Sequence, residues 1–310
     1  MELTRLFLVV SALLICCARR VPKCPPKLFR VEGMDSCQPW LTCGDLKNFK
    51  IDRLIGVGAV KAVYLSFWNG KPVALSRLNN PEYKEDFDHG ISMLKALNPS
   101  PLIVQLVGYC ERENVIFTEY HKLGNATNIG ALLAGRDGWE GVAQRLGLCI
   151  NYAEILEFLH DGPIGTRVLC DSNDLMKLLS QFLLDEGFSL VLNDVDALPE
   201  VKKEGDKKIK CGHKQLDGDF VAPEQKWPYP GPFKDEAMPG YDEKTDIWKA
   251  ADVCGHFFAD DKSGLDWVHF RLFNLHSQCK STDPSSRPSA KYLLSVYEKI
   301  LAELLVKMEL

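Results

Sequence analysis

The hydrophobic pattern changes period part-way along the chain, and this constrains the fold more than any other feature of the 310 residues. From Leu54, "LIGVGAVKAVYLSFWNGKPVALSRL" reads as three strands, with a glycine turn between the first two and a hairpin pair, Asn69-Gly70, before the third. The next segment, "YKEDFDHGISMLKAL", sets Phe87, Ile91, Leu94 and Leu97 at the three- and four-residue spacing of one helix face. Two further strands, "IVQLVGYC" and "VIFTEY", complete a small antiparallel sheet. From about Ala131 the period is helical: Leu146, Ile150, Ala153 and Leu156 form one stripe, and Leu293, Val296, Ile300, Leu304 and Met308 form another in the last segment. The expected architecture is α+β and bilobal: an antiparallel β-sheet N-lobe and a mainly helical C-lobe, joined near "EYHKLG", with a cleft of the kind ligands favour between them.

The start of the chain follows different rules. "LFLVVSALLICCA", Leu6 to Ala18, carries no charge and is bounded by Arg5 and the Arg19-Arg20 pair. An apolar run of that length at the N-terminus fits a signal-peptide core better than a full membrane span of about 20 residues, and cleavage after Ala18 is one outcome. An uncleaved signal anchor is the other. Entry into an oxidising lumen bears on the eleven cysteines. Cys24, Cys37 and Cys43 crowd an irregular, proline-containing stretch that calls for a covalent staple, whereas Cys110, Cys149 and Cys254 lie in apolar contexts and read as buried thiols. Asn125, in "NAT", is a glycosylation sequon. The division expected is residues 1–20 as signal anchor, 21–48 as a Cys/Pro-rich luminal linker and 49–310 as the folded domain. A net charge of −5 lacks the basic excess that nucleic-acid binding needs.

The motifs of the folded part, taken in order, resemble the protein-kinase family over nearly all of Phe49 to Lys307. "GVGAVKAV" is similar to the glycine loop, "VALSRL" to the strand that usually carries the phosphate-binding lysine, and "TEYHKLG" to the hinge. "LNDVDAL" stands where the metal-binding "DFG" belongs, "VAPEQ" matches "APE", "KTDIWK" resembles the start of the central helix, and "DPSSRPS" resembles "DPxxRPT". Any one of these is weak alone. Their order and spacing make the resemblance specific.

On that resemblance Gly56 and Gly58 let backbone N–H groups approach nucleotide phosphates, and the hinge residues Glu119, Tyr120 and His121 line the nucleotide. Ser76 occupies the position of the usual lysine. Phosphoryl transfer needs a cation at the α- and β-phosphates, and Lys61, in the adjacent strand where a third glycine is usual, can reach the same point. Lys71 and Arg77 offer spare positive charge nearby, so a merely solvated Lys61 is the competing reading. The usual helix glutamate falls on Gly90, and Asp86, one turn earlier, is the candidate partner for the displaced lysine.

"FLHDGPIGTRVLCDSNDLMKLLSQFLL" is longer than the usual catalytic loop and lacks its histidine-arginine pair. Asp171 takes the place of the base, with Asp174 as rival; Gln181 replaces the asparagine that helps hold the second metal, and Asp194 is the principal metal ligand. Val195 and Asp196 replace the phenylalanine and glycine of "DFG". Glu224 and Arg287 match the family's buried ion pair, Asp246 its brace on the catalytic loop, and a Cys170–Cys211 disulfide is expected from compartment and proximity.

A closer resemblance, carried by "GTRVLCDSNDL", "SQFLL", "NDVDALP" and "GDFVAPEQKWPY", is to kinase-fold glycan kinases of the secretory pathway. It implies transfer of phosphate from ATP, with Mg²⁺ or Mn²⁺, to the 6-hydroxyl of O-linked mannose in a GalNAc-GlcNAc-Man core on α-dystroglycan. It also implies a monomer held in the endoplasmic reticulum membrane by a single-pass type II anchor, catalytic domain luminal. The alternatives are a secretory-pathway Ser/Thr protein kinase, or a pseudokinase that binds partners without turnover.

Overall fold

The computed structural model describes residues 24–136, 138–170, 172–202, 207–259 and 266–309. The apolar N-terminal segment lies outside them, as does Asp171. Among the described residues no helix is long and apolar enough to cross a membrane. The chain divides into two compact units, one of residues 20–124 with 191–198 and the other of 125–190 with 199–310. The first division falls at the end of "EYHKLG", where the sequence places the join.

The first unit is built on a five-stranded antiparallel sheet. Two short strands come before it, β1 (Leu28–Phe29) and β2 (Gln38–Pro39). Its own strands are β3 (Phe49–Val57), β4 (Lys61–Trp68), β5 (Lys71–Leu78), β6 (Leu106–Cys110) and β7 (Val115–Glu119), in the order β3-β4-β5-β7-β6. Helix α1 (Lys84–Leu97) buries Phe87, Ile91, Leu94 and Leu97, the face that the spacing predicts. Asn69, at the predicted hairpin, has φ 49°, in the left-handed region that such a turn requires.

The stretch expected as a linker packs on this sheet. Phe29, Val31 and Leu41 share one buried cluster with Val73, Leu75, Val107, Val115 and Phe117. Leu41 runs alongside edge strand β6, its N–H donating to Val107 O at 2.9 Å and its carbonyl accepting from Tyr109 N at 3.1 Å. The approach is so close that a Cβ on Gly108 would lie 2.3 Å from Leu41 O. An edge that would otherwise present unpaired backbone groups is thereby covered. Cys43 pairs with Cys110 and Cys24 with Cys37, so Cys110 is half of the staple on this edge rather than a buried thiol.

The second unit is mainly helical: α2 (Ile129–Leu133), α3 (Gly138–His160), α4 (Leu175–Ser180), α5 (Lys244–Phe257), α6 (Asp266–Cys279) and α7 (Ala290–Glu309). Helix α3 is buried on nearly all sides, including the predicted Leu146, Ile150, Ala153 and Leu156. In α7 the buried stripe runs through Leu293, Tyr297, Ile300, Leu301, Leu304 and Leu305, while Val296 and Met308 are only half-buried. The apolar face is therefore rotated from the expected one, because Tyr297 turns inward and its hydroxyl lies 2.9 Å from His276 Nε2. Cys149 and Cys254, expected as thiols, join α3 to α5 as a disulfide; apolar neighbours describe either state, and only the fold brings the two together. The expected Cys170–Cys211 bridge is present. Asn125 caps a short turn by accepting from Thr127 N at 3.2 Å.

Candidate active site

Lys61 is the first residue of β4, and its amine reaches two carboxylates of the 191–198 segment. Nζ donates to Asp194 Oδ1 at 2.6 Å and stands 3.1 Å from Asp196 Oδ2. The second is a charge contact rather than a hydrogen bond. The segment is held in place by backbone pairing: Leu192 N donates to Leu102 O at 2.9 Å, and Val104 N to Leu192 O at 2.8 Å. Burial alone would lower the Lys61 pKa, but Asp194, then Asp196, overcome it and hold the amine above its ordinary value, so it is a fixed cation. Burial, with the Asp194 charge beside it, pushes the Asp196 carboxyl up against the pull of Lys61. Asp86, the expected partner, is exposed on α1. Lys61 is drawn away from it because two anions converge nearer the strand end.

Ser76 is buried on β5, opposite Val63, while Lys61 stands opposite Leu78. The two positions lie on one face of the sheet, separated by a single step along it. Relocation of the cation from β5 to β4 is thus a short lateral move.

The glycine turn is held tightly. Gly58 N donates to Lys61 O at 2.8 Å, and Asn79, just past β5, clamps the turn by donating its Nδ2 to Gly58 O at 2.9 Å and its backbone N–H to Val60 O at 2.8 Å. A Cβ at Gly56 would meet only Val63 Cβ at 3.9 Å, and one at Gly58 only Lys61 O at 3.8 Å. The fold itself does not demand these glycines. At the hinge, Glu119 is buried and accepts from Gln105 N at 3.0 Å, with His121 Nε2 3.3 Å away. Its side chain is engaged within the fold, with Gln105 Nε2 3.3 Å from the other carboxylate oxygen.

In the helical unit Asp171 lies outside the described residues, and its neighbours are tightly fixed. Cys170 is bonded to Cys211, whose N–H donates to Tyr241 Oη at 2.6 Å. Ser172 donates to Leu169 O and accepts from Lys249 Nζ, each at 2.5 Å. Lys249 is 1% exposed, and burial, opposed by Asp246 and Glu224, lowers its pKa to about 8. Asp246, fully buried, accepts from Leu169 N at 3.1 Å and stands 3.1 Å from His160 Nε2, bracing the loop. Asp174 caps α4 by accepting from Lys177 N at 2.8 Å, a structural role for the rival base. The extra residues of the loop are this helix. Glu224 and Arg287 form a two-pronged pair at 2.6 and 2.8 Å, as the motifs imply.

Gln181 is buried at the end of α4, and its Nε2 donates to Lys177 O at 3.0 Å, which leaves its Oε1 as the presented end. Among the described residues no group of three or more His, Cys, Asp or Glu side chains gathers as a metal site. Taken separately, the Asp194 carboxylate and the Gln181 carbonyl are each a hard oxygen of the kind a magnesium-class cation takes.

No family model matches the chain. A protein O-mannose kinase of Macaca fascicularis is 48% identical over 287 residues, which cover 90% of this chain and 80% of that protein. The one of Homo sapiens is 47% identical over 287 residues. That of Gallus gallus is 46% identical over 291 residues, 91% of this chain and 81% of its own. The chain belongs to the protein O-mannose kinase family. It is a kinase of bilobal α+β type, and ATP is its phosphate donor. Motif reading misses three supporting contacts: Asn79 on the glycine turn, Asp196 beside Lys61, and Lys249 on Ser172. Only the doubled aspartate of "NDVD" signals one of them.

Proposed function

We propose that the protein transfers the terminal phosphoryl group of ATP to the 6-hydroxyl of mannose in a GalNAc-β1,3-GlcNAc-β1,4-mannose core O-linked to α-dystroglycan. The observation that carries the reading is Lys61 Nζ at 2.6 Å from Asp194, since it supplies the cation that Ser76 cannot. Lys61 neutralises the α- and β-phosphates, the glycine turn covers them with backbone N–H groups, and Asp171 accepts the hydroxyl proton as the new O–P bond forms and ADP departs. Asp194 and Gln181 would hold Mg²⁺ or Mn²⁺, which would supply charge neutralisation at the phosphates. The relatives' being protein O-mannose kinases supports a mannose acceptor, and the order of kinase motifs supports the phosphate donor.

The same reading puts the catalytic domain in the lumen of the endoplasmic reticulum, anchored through residues 6–18. The four disulfides among the described residues support an oxidising compartment. Protease protection of the domain in sealed microsomes tests this; digestion without detergent contradicts it.

The deciding experiment supplies ATP and Mg²⁺ or Mn²⁺ with three acceptors: the core trisaccharide on a mannoside, mannose alone, and mixed Ser/Thr peptides. Phosphate located on the mannose 6-oxygen of the trisaccharide alone is the expected result. Transfer to peptides instead, or to none of the three, overturns it.

A further inference from the structure

Gly90 stands within α1 at the position where the kinase motif places a glutamate, and it is buried although it has no side chain to bury. The three atoms nearest to a Cβ built there all belong to Asp196, its Cβ at 3.3 Å, its Cα at 3.6 Å and its N at 3.9 Å. That spacing is tighter than ordinary van der Waals contact, so almost any other residue at this position forces Asp196 to shift. Asp196 is 7% exposed, and Oδ2 faces Lys61 Nζ at 3.1 Å. The residue missing from the helix and the residue gained in the "DFG" segment thus occupy one place.

We propose that Asp196 orients Lys61 in place of the helix glutamate, and that Gly90 is the room the exchange requires. Resting on the reading of Lys61 as the phosphate-binding cation, the assignment makes Asp196 a positioning residue. Its use follows from the charges. Asp194 is the closer anion to Lys61, but it is also the metal ligand, and a cation bound there competes with the amine for the carboxylate. Asp196 keeps a second anion on Lys61 when Asp194 is engaged. In kinases whose lysine pairs with a helix glutamate, moving the helix makes or breaks the site. Here cation and anchor come from β4 and the 191–198 segment, so no side chain of α1 holds the lysine.

The test uses the full chain and five forms of it: wild type, Lys61→Ala, Asp196→Asn, the double variant and Gly90→Leu. ATP affinity is measured by displacement of a fluorescent nucleotide, together with kcat, KM for ATP and the Mg²⁺ concentration at half-maximal rate. Asp196→Asn should weaken ATP about tenfold, leave the Mg²⁺ requirement unchanged, and cost nothing more in the Lys61→Ala background, as a double-mutant cycle reads for groups acting through one another. Gly90→Leu, which removes no charge, should weaken ATP in the same direction because it displaces Asp196. The proposal is overturned if Asp196→Asn binds ATP like wild type, adds its effect to Lys61→Ala, or shifts the Mg²⁺ midpoint, which would make it a metal ligand. Should Asp196→Asn fail to fold, Gly90→Leu decides: wild-type ATP affinity in it overturns the proposal. Normal ATP binding by Lys61→Ala would instead sink the reading of Lys61 itself.

Discussion

Asn79 Nδ2 donates to Gly58 O at 2.9 Å, so a residue past the end of β5 fixes the turn that joins β3 to β4. With Asn79 N–H on Val60 O, it closes the turn from both sides before any ligand arrives. Asn79→Ala removes one of these hydrogen bonds, worth about 1 kcal/mol, and should raise KM for ATP about fivefold with kcat little changed. Steady-state kinetics against ATP at saturating acceptor checks this. An equal loss in kcat would mean that the turn acts on the chemistry rather than on nucleotide binding.

Lys61→Ala should lower kcat/KM by about 10²-fold or more, the scale for loss of a preorganised charge at a phosphoryl group. Adding Ser76→Lys should not restore it. An amine at position 76 starts from β5 opposite Val63 and Ile116, and Gly90 offers no glutamate to hold it. Kinetics of the double variant decide; recovery to within a few-fold of wild type would show that the pocket accepts either origin.

Lys249 provides the pH prediction. Its folded pKa is near 8 against an ordinary 10.5, so between those values the unfolded chain binds more protons and stability rises with pH. The cost of keeping this amine buried and charged is full below pH 8. Relative to Lys249→Met, wild type should gain about 2 kcal/mol between pH 7.5 and 9.5, read from urea unfolding of both forms. At pH 7 the Met form should be as stable or more so, since replacing a buried charge by an apolar chain is often neutral or favourable. Its kcat should still fall, because Ser172, next to Asp171, loses its donor.

Removing residues 1–35 should destabilise the sheet unit, although sequence reading places them in an anchor and a linker. The deletion strips Phe29, fully buried, and Val31 from the core and leaves Cys37 without Cys24. Loss of the phenylalanine alone costs about 3–5 kcal/mol. Thermal unfolding of the shortened chain measures it, and an unchanged midpoint would show that the stretch is ornamental.

What the sequence makes legible follows from the range of the interaction. Strands β3 to β5 and helix α1 are local patterns, and Phe87, Ile91, Leu94 and Leu97 fall on the predicted face because helix periodicity is intrinsic to the chain. Lys61 is legible as the displaced cation because a lysine replaces a glycine in a short motif. Its anchor is not legible, since Lys61 and Asp194 are 133 positions apart and a motif has no reach across that distance. Lys249 and Ser172, 77 apart, were hidden for the same reason. The state of Cys110 is not legible because an apolar setting suits a thiol and a disulfide equally, and the prolines and cysteines around Phe29, Val31 and Leu41 obscure their burial. Asp196 was seen only as a departure from "DFG"; it gains meaning when Gly90 is found against it.

The four bridges among the described residues are sorted by order of synthesis. Cys24, Cys37, Cys43 and Cys110 pair among themselves within the first 124 residues, and Cys149, Cys170, Cys211 and Cys254 pair among themselves afterwards. A growing chain can therefore close both early bridges before the first late cysteine is made, and domains generally fold in that direction as they are synthesised. Counting only the eight bridged cysteines, four are then in reach, and the wrong pairings among them number two rather than over a hundred. The arrangement is a form of translational proofreading: oxidation at the pace of synthesis reaches the native connectivity with few partners to confuse, whereas refolding the finished, reduced chain meets all of them at once.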